Sequence, residues 1–172
     1  DMYGAILTPP VTSEADYGVL FMHNEGYSTM CGHGIIALTS VLVETGAVEL
    51  SAGGNERSSV MIGYDTPAGF IRSTATVSDG RVEQVVFENV ASFVCHDGIE
   101  IDTPHGAMTV PVVFGGAFYA LADAAAAGLM VEQGNVRGLI DYGMAVKHAV
   151  EATIEVVHPD EPDLHGLYGT II

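Results

Sequence analysis

Apolar and polar residues alternate in short runs along most of the chain, and two longer stretches switch to a helical period. Met2 to Leu7 and Tyr17 to Met22 read as strands, with the Thr8-Pro9-Pro10 turn between them. Ser59 to Tyr64 and Gly69 to Val77 follow, parted by a turn at Asp65-Thr66-Pro67. Ser78-Asp79-Gly80 then leads into Arg81 to Glu88, which predicts a hairpin. Met108 to Phe114 and Ala117 to Leu121 read as two more strands, with Gly115-Gly116 at a bend or bulge. The first helix is expected from about Gly32 to Glu44. Its core, Ile35 to Val43, is apolar on nearly all sides, which predicts a buried helix, and Gly46 suits its C-cap. The second is expected from about Asn135 to Ile154, where Val136, Ile140, Met144, Val146 and Val150 keep a roughly helical spacing. No repeat of fixed period and no clear linker divide the chain.

Composition narrows the class. The chain has 172 residues, 48% hydrophobic and 16% charged, which is the balance of a folded chain rather than a disordered one. No apolar run is long enough to span a bilayer, and the N-terminus lacks a signal-peptide pattern. The formal net charge is -17, which disfavours nucleic acid and anionic membrane surfaces as partners. It reads either as a solvated acidic surface or as adaptation to salt. The two cysteines, Cys31 and Cys95, do not suggest a disulfide framework, so reduced thiols and a cytoplasmic location are expected. The chain opens at Asp1 and stops inside the run Gly169-Thr170-Ile171-Ile172, as if cut from a longer protein.

Candidate chemistry centres on Cys31-Gly32-His33-Gly34. Cys31 falls at the expected start of the first helix, where the first N–H groups lack intrahelical partners and the helix dipole is positive. Such an end suits a carboxylate and favours thiolate over thiol. Small residues at 32 and 34 let a ligand approach the backbone. A substrate carboxylate and a base for its neighbouring C–H can therefore share one helix end, as α-proton abstraction from an amino acid requires. The residues leave alternatives open: Cys31 as a small buried hydrophobe, and His33 as a structural histidine bonded to backbone. Cys95, in Phe93-Val94-Cys95-His96 beside a turn expected at Asp97-Gly98, reads as structural. His23-Asn24-Glu25-Gly26 either serves the pocket or satisfies its own turn. HExxH, CxxC, GxGxxG and Walker patterns are all missing, and His96, His105, His158 and His165 are scattered, so neither a metal site nor a nucleotide site is expected.

Several stretches together resemble the proline racemase superfamily. They are Met30-Cys31-Gly32-His33-Gly34, preceded by Gly26-Tyr27-Ser28-Thr29; Asp1-Met2-Tyr3-Gly4; Ala15-Asp16-Tyr17-Gly18-Val19-Leu20-Phe21; and Phe114-Gly115-Gly116-Ala117-Phe118-Tyr119-Ala120. The superfamily includes proline racemases, 4-hydroxyproline 2-epimerases and trans-3-hydroxy-L-proline dehydratases. The resemblance implies an α/β (α+β) fold like that of diaminopimelate epimerase: a curved, mostly antiparallel sheet wrapped around a buried central helix. It also implies that residues 1–172 are most of the N-terminal domain of a two-domain enzyme.

By the same resemblance Cys31 is a cofactor-independent acid/base, Gly32, His33 and Gly34 hold the substrate carboxylate, and Tyr3 stands near the substrate ring. The partner is a small amino acid, and family members often pair as homodimers. The family's second catalytic motif, a Cys or Thr in a Gly-rich segment, does not occur in this chain. His23 to Ser28 and Gly115 to Tyr119 look more like the dehydratase branch, with Ala117 where racemases and epimerases more often carry Asn. The alternatives are a proline racemase or 4-hydroxyproline 2-epimerase, and a non-catalytic relative that binds an amino acid.

Overall fold

The computed structural model describes residues 3–24, 26–49 and 57–172. Asp1, Met2 and Glu25, singled out in the sequence, lie outside them. The chain divides into two compact units, Asp1–Val90 and Ala91–Ile172. The boundary falls in the short link between two strands and carries no Gly- or Pro-rich linker that would announce it. Among the described residues each unit is a sheet with one α-helix, so the fold is α+β.

The first unit holds β1 (Tyr3–Thr8), β2 (Tyr17–His23), β3 (Gly26–Ser28), α1 (Gly32–Glu44), β4 (Ser58–Thr66), β5 (Gly69–Ser78) and β6 (Arg81–Glu88). The sheet runs β1-β2-β4-β5-β6, with β3 added on β2. Every pairing is antiparallel except β2 with β4. Successive strand residues face opposite sides. Val19 and Phe21 of β2, Ile62 and Tyr64 of β4, and Ile71, Ala75 and Val77 of β5 therefore form one buried face.

Helix α1 lays Ile35, Thr39, Leu42 and Val43 on that face, at a spacing of four, three and one. The sequence predicted a helix buried all round. In the chain as described only one face is covered: Ile36 is 40% exposed and Val41 57% exposed. Apolarity on every side told how much surface wants burial, not how much the strands of this unit reach. The helix ends as expected, with Gly46 in the left-handed region (φ 75°) just past its last turn.

Two polar features fix this unit. The Thr39 hydroxyl lies 3.0 Å from the Tyr64 hydroxyl and 2.9 Å from that of Ser73, and all three residues are fully buried. Burial pushes the Tyr64 phenol up to about 12. At the far end of β4, the Asp65 carboxylate accepts the N–H groups of Val11 and Thr12, both at 2.7 Å, and the Thr12 hydroxyl at 2.9 Å. The loop after β1 is thereby pinned to the sheet.

The second unit holds β7 (Phe93–Thr103), β8 (Gly106–Phe114), β9 (Phe118–Leu121), α2 (Val136–Thr153) and β10 (Leu167–Ile171). Its sheet runs β10-β9-β8-β7, with β10 parallel to β9. Helix α2 buries Tyr142, Val146 and Val150. The turn expected at Asp97-Gly98 is instead part of β7. Irregularities in register between Val94 and His96 and between His96 and Ile99 absorb those residues within one long strand.

Candidate active site

Cys31 is the joint between a strand and a helix. On the strand side, Ser28 pairs with Phe21, the Ser28 hydroxyl donates to the Met30 carbonyl (2.9 Å), and the Ala68 N–H donates to the Thr29 carbonyl (3.1 Å). On the helix side, Cys31 is the N-cap residue, in an extended conformation (φ -145°, ψ 108°). Its Sγ accepts the N–H of Gly34 at 3.3 Å, and its carbonyl accepts the N–H of Ile35 at 3.0 Å. Four N–H groups at a helix start lack intrahelical partners beyond the cap. Of these, the Gly34 N–H is taken by the Cys31 side chain, while the Ile35 N–H to the Cys31 carbonyl is the first bond of the helix itself. Those of Gly32 and His33 have no acceptor among the described residues.

The glycines flanking His33 have a packing reason as well as a chemical one. A Cβ on Gly34 would lie 2.6 Å from Cε1 of Phe21, and one on Gly32 would lie 2.9 Å from Cζ of Phe87. The helix start is thus pressed against two aromatic rings of the sheet. Sequence reasoning did not assign Phe21 and Phe87 to the site. The alternation along β2 and β6 was the signal that places both on the inner face. The His33 side chain is exposed and makes no hydrogen bond with a described residue, so the reading of it as a backbone-bonded structural histidine finds no support.

Tyr3 stands on the next pair of the same sheet face. Phe21 opposite Ala5 is followed by His23 opposite Tyr3, and the Tyr3 and His23 rings stack at 6.0 Å with 29° between planes. The structure therefore gathers Cys31, Gly32, His33 and Gly34 in one turn and sets Tyr3 on the adjoining strand pair.

The second cysteine has a different setting. Cys95 is half-buried on β7, its Sγ 4.0 Å from the Val157 carbonyl, and burial pushes its thiol up. That favours the protonated, unreactive form and supports the structural reading.

A family model described as proline racemase matches residues 1–172. The chain belongs to the proline racemase family. It is 46% identical over 170 residues to the trans-3-hydroxy-L-proline dehydratase of Bacillus cereus, covering 99% of this chain and 49% of that protein. It is 42% identical over 173 residues to the 3-hydroxyproline 2-epimerase of Burkholderia multivorans, covering 100% of this chain and 50% of that one. A crystal structure of a hydroxyproline epimerase from Agrobacterium vitis, with bound trans-4-hydroxy-L-proline, superposes with a TM-score of 0.88 at 30% identity. That match covers 96% of this chain and 47% of the other. The chain spans about half the length of the curated relatives it matches. Among proline racemase family proteins, then, relatives carry enzyme names of two reaction types, dehydration and epimerisation. No described helix is long and apolar enough to cross a membrane.

Proposed function

We propose that the protein containing this chain is a cofactor-independent acid/base enzyme acting at the α-carbon of a proline-type amino acid, and that its reaction is dehydration of trans-3-hydroxy-L-proline. The observation that carries this reading is the Cys31 thiol capping a helix whose next two N–H groups, on Gly32 and His33, have no acceptor among the described residues. Those N–H groups bind the substrate carboxylate, which places the neighbouring C–H against Sγ. The Cys31 thiolate removes the α-proton. The electron pair of that bond becomes the C2–C3 double bond, the C3–O bond breaks, and the hydroxyl leaves with a proton as water. The resulting enamine gains a proton at C3 and loses one from nitrogen, giving Δ1-pyrroline-2-carboxylate. Tyr3 borders the ring. The acid that protonates the leaving hydroxyl belongs to the other half of the protein, so this chain alone is expected to be inactive. A thiol acid/base needs a reducing compartment, which fits the cytoplasm.

Two comparisons favour a second reading, inversion at the α-carbon. The Burkholderia multivorans relative is named as an epimerase, and the Agrobacterium vitis structure is one with trans-4-hydroxy-L-proline bound. In that case a second acid on the opposite face returns a proton to Cα and no bond to oxygen breaks.

Incubating the full-length protein with trans-3-hydroxy-L-proline, trans-4-hydroxy-L-proline and L-proline in heavy water separates the readings. Loss of water from the first, without inversion of the others, is the expected result. Deuterium at Cα with inversion establishes the second reading instead. No exchange with any of the three rejects both and leaves an amino-acid-binding relative.

A further inference from the structure

We propose that Thr39 is a positioning residue for the Cys31 thiol: its buried hydroxyl, tied to Tyr64 on β4 and Ser73 on β5, fixes where α1 sits along the sheet. The functional weight of this inference rests on Cys31 being the acid/base.

The apolar contacts of α1 hold it on the sheet, and the Phe21 and Phe87 rings bound its first turn, but burial of apolar surface carries no direction of its own. Hydrogen bonds set position. Among the described residues two polar ties join α1 to the strands. One is exposed and lies at the far end, where the Glu44 carboxylate accepts the Val82 N–H at 3.0 Å. The other is the Thr39 hydroxyl, which takes part in both buried bonds, at 3.0 and 2.9 Å. Thr39 is eight residues from Cys31, about 12 Å along a helix rising 1.5 Å per residue. A helix is stiff over two turns, so a slip at Thr39 arrives undiminished at its first turn.

The strand side of the joint cannot follow such a slip, because the Met30 and Thr29 carbonyls are held by Ser28 and Ala68. The mismatch falls on the backbone around Cys31, and the bond from the Gly34 N–H to Sγ depends on that backbone. Stability does not explain the triad. Apolar groups of the same shape at all three positions would be nearly neutral, since each buried hydroxyl gives up its water. What three hydroxyls add is direction.

The test is the iodoacetamide labelling rate of Cys31 in the full-length protein, read by peptide mass spectrometry with Cys95 as internal standard. Thr39→Val is expected to label Cys31 about threefold more slowly, because a displaced helix start no longer holds Sγ against the Gly34 N–H. Thr39→Ser is expected to restore the unaltered rate. Tyr64→Phe and Ser73→Ala each remove one of the two bonds and are expected to fall between. A Thr39→Val rate that is unaltered overturns the inference. So does a faster rate, which is what a merely loosened helix would give, and so does a Thr39→Ser variant as slow as Thr39→Val. If Thr39→Val does not fold, Tyr64→Phe carries the test by the same criterion. Labelling is read without turnover, so absence of any exchange at Cα would reject the proposed reaction and leave this comparison standing.

Discussion

The ring of Phe21 occupies the space that a side chain on Gly34 would need, 2.6 Å from the position of its Cβ. Two effects compete in Gly34→Ala. Alanine favours a helix over glycine by up to about 1 kcal/mol. Forcing a methyl against a buried ring costs about 1–3 kcal/mol. Phe21 is fully buried and has nowhere to go, so the packing cost wins. Gly34→Ala should lower the urea midpoint of the protein. Gly32→Ala meets the partly buried Phe87 at 2.9 Å and should lower it less.

Cys31→Ser should separate fold from chemistry. Serine is a favoured N-cap, so unfolding stability should stay within about 0.5 kcal/mol of the unaltered protein. Its hydroxyl stays protonated at neutral pH, so turnover of the full-length protein should fall about a hundredfold or more. A large stability loss with retained turnover would point to a packing role for the thiol.

Asp65 should shape the acid limb of the stability curve. Burial pushes its carboxyl up, but the bonds from the Thr12 N–H and hydroxyl and from the Val11 N–H outweigh this and hold it below the usual carboxylate value. A group whose folded value is depressed adds stability above its unfolded pKa, about 3.9, and loses it as pH falls through the folded one. Asp65→Asn should therefore flatten the stability profile between about pH 4 and the acid transition. Urea midpoints measured across that range check it; parallel curves for the two proteins would contradict it.

Tyr64 should govern the alkaline limb. Its folded value is raised to about 12 by burial, so the unfolded chain loses the phenolic proton first. Stability from this group is whole below the unfolded pKa of about 10 and drains away as pH rises towards 12. Tyr64→Phe should hold the first unit folded to higher pH, followed by tyrosinate absorbance together with circular dichroism. Unchanged alkaline transitions would argue against a buried phenol.

Much of this architecture could be read from alternation alone. The α1 bounds, the β5–β6 hairpin and the bend after Phe114 all follow from local chemistry: a capping residue, Asp79-Gly80 in a tight turn, and paired glycines. Three strands escaped for reasons of the same kind. β3 is three residues long and exists only because β2 offers it an edge. β7 hides behind Asp97-Gly98, a turn signal that the sheet overrides by bulging. β10 pairs parallel to β9 across more than forty intervening residues, which no local pattern announces. At the candidate site the thiol and the helix start were legible, because cap and motif lie in one short run. Alternation put Phe21 and Phe87 on an inner face, but their contact with Gly34 and Gly32 was not legible, because pressure from the sheet leaves no mark on the sequence of the helix.

The open side of α1 bears on how this chain behaves as a solute. Ile36 and Val41 face outward on a molecule carrying a formal charge of -17. At low ionic strength that charge keeps copies apart, while above about 0.15 M salt the repulsion reaches only some 8 Å. Added salt should therefore promote self-association of the chain rather than dissolve it, with the greasy ridge of one helix as the point of adhesion.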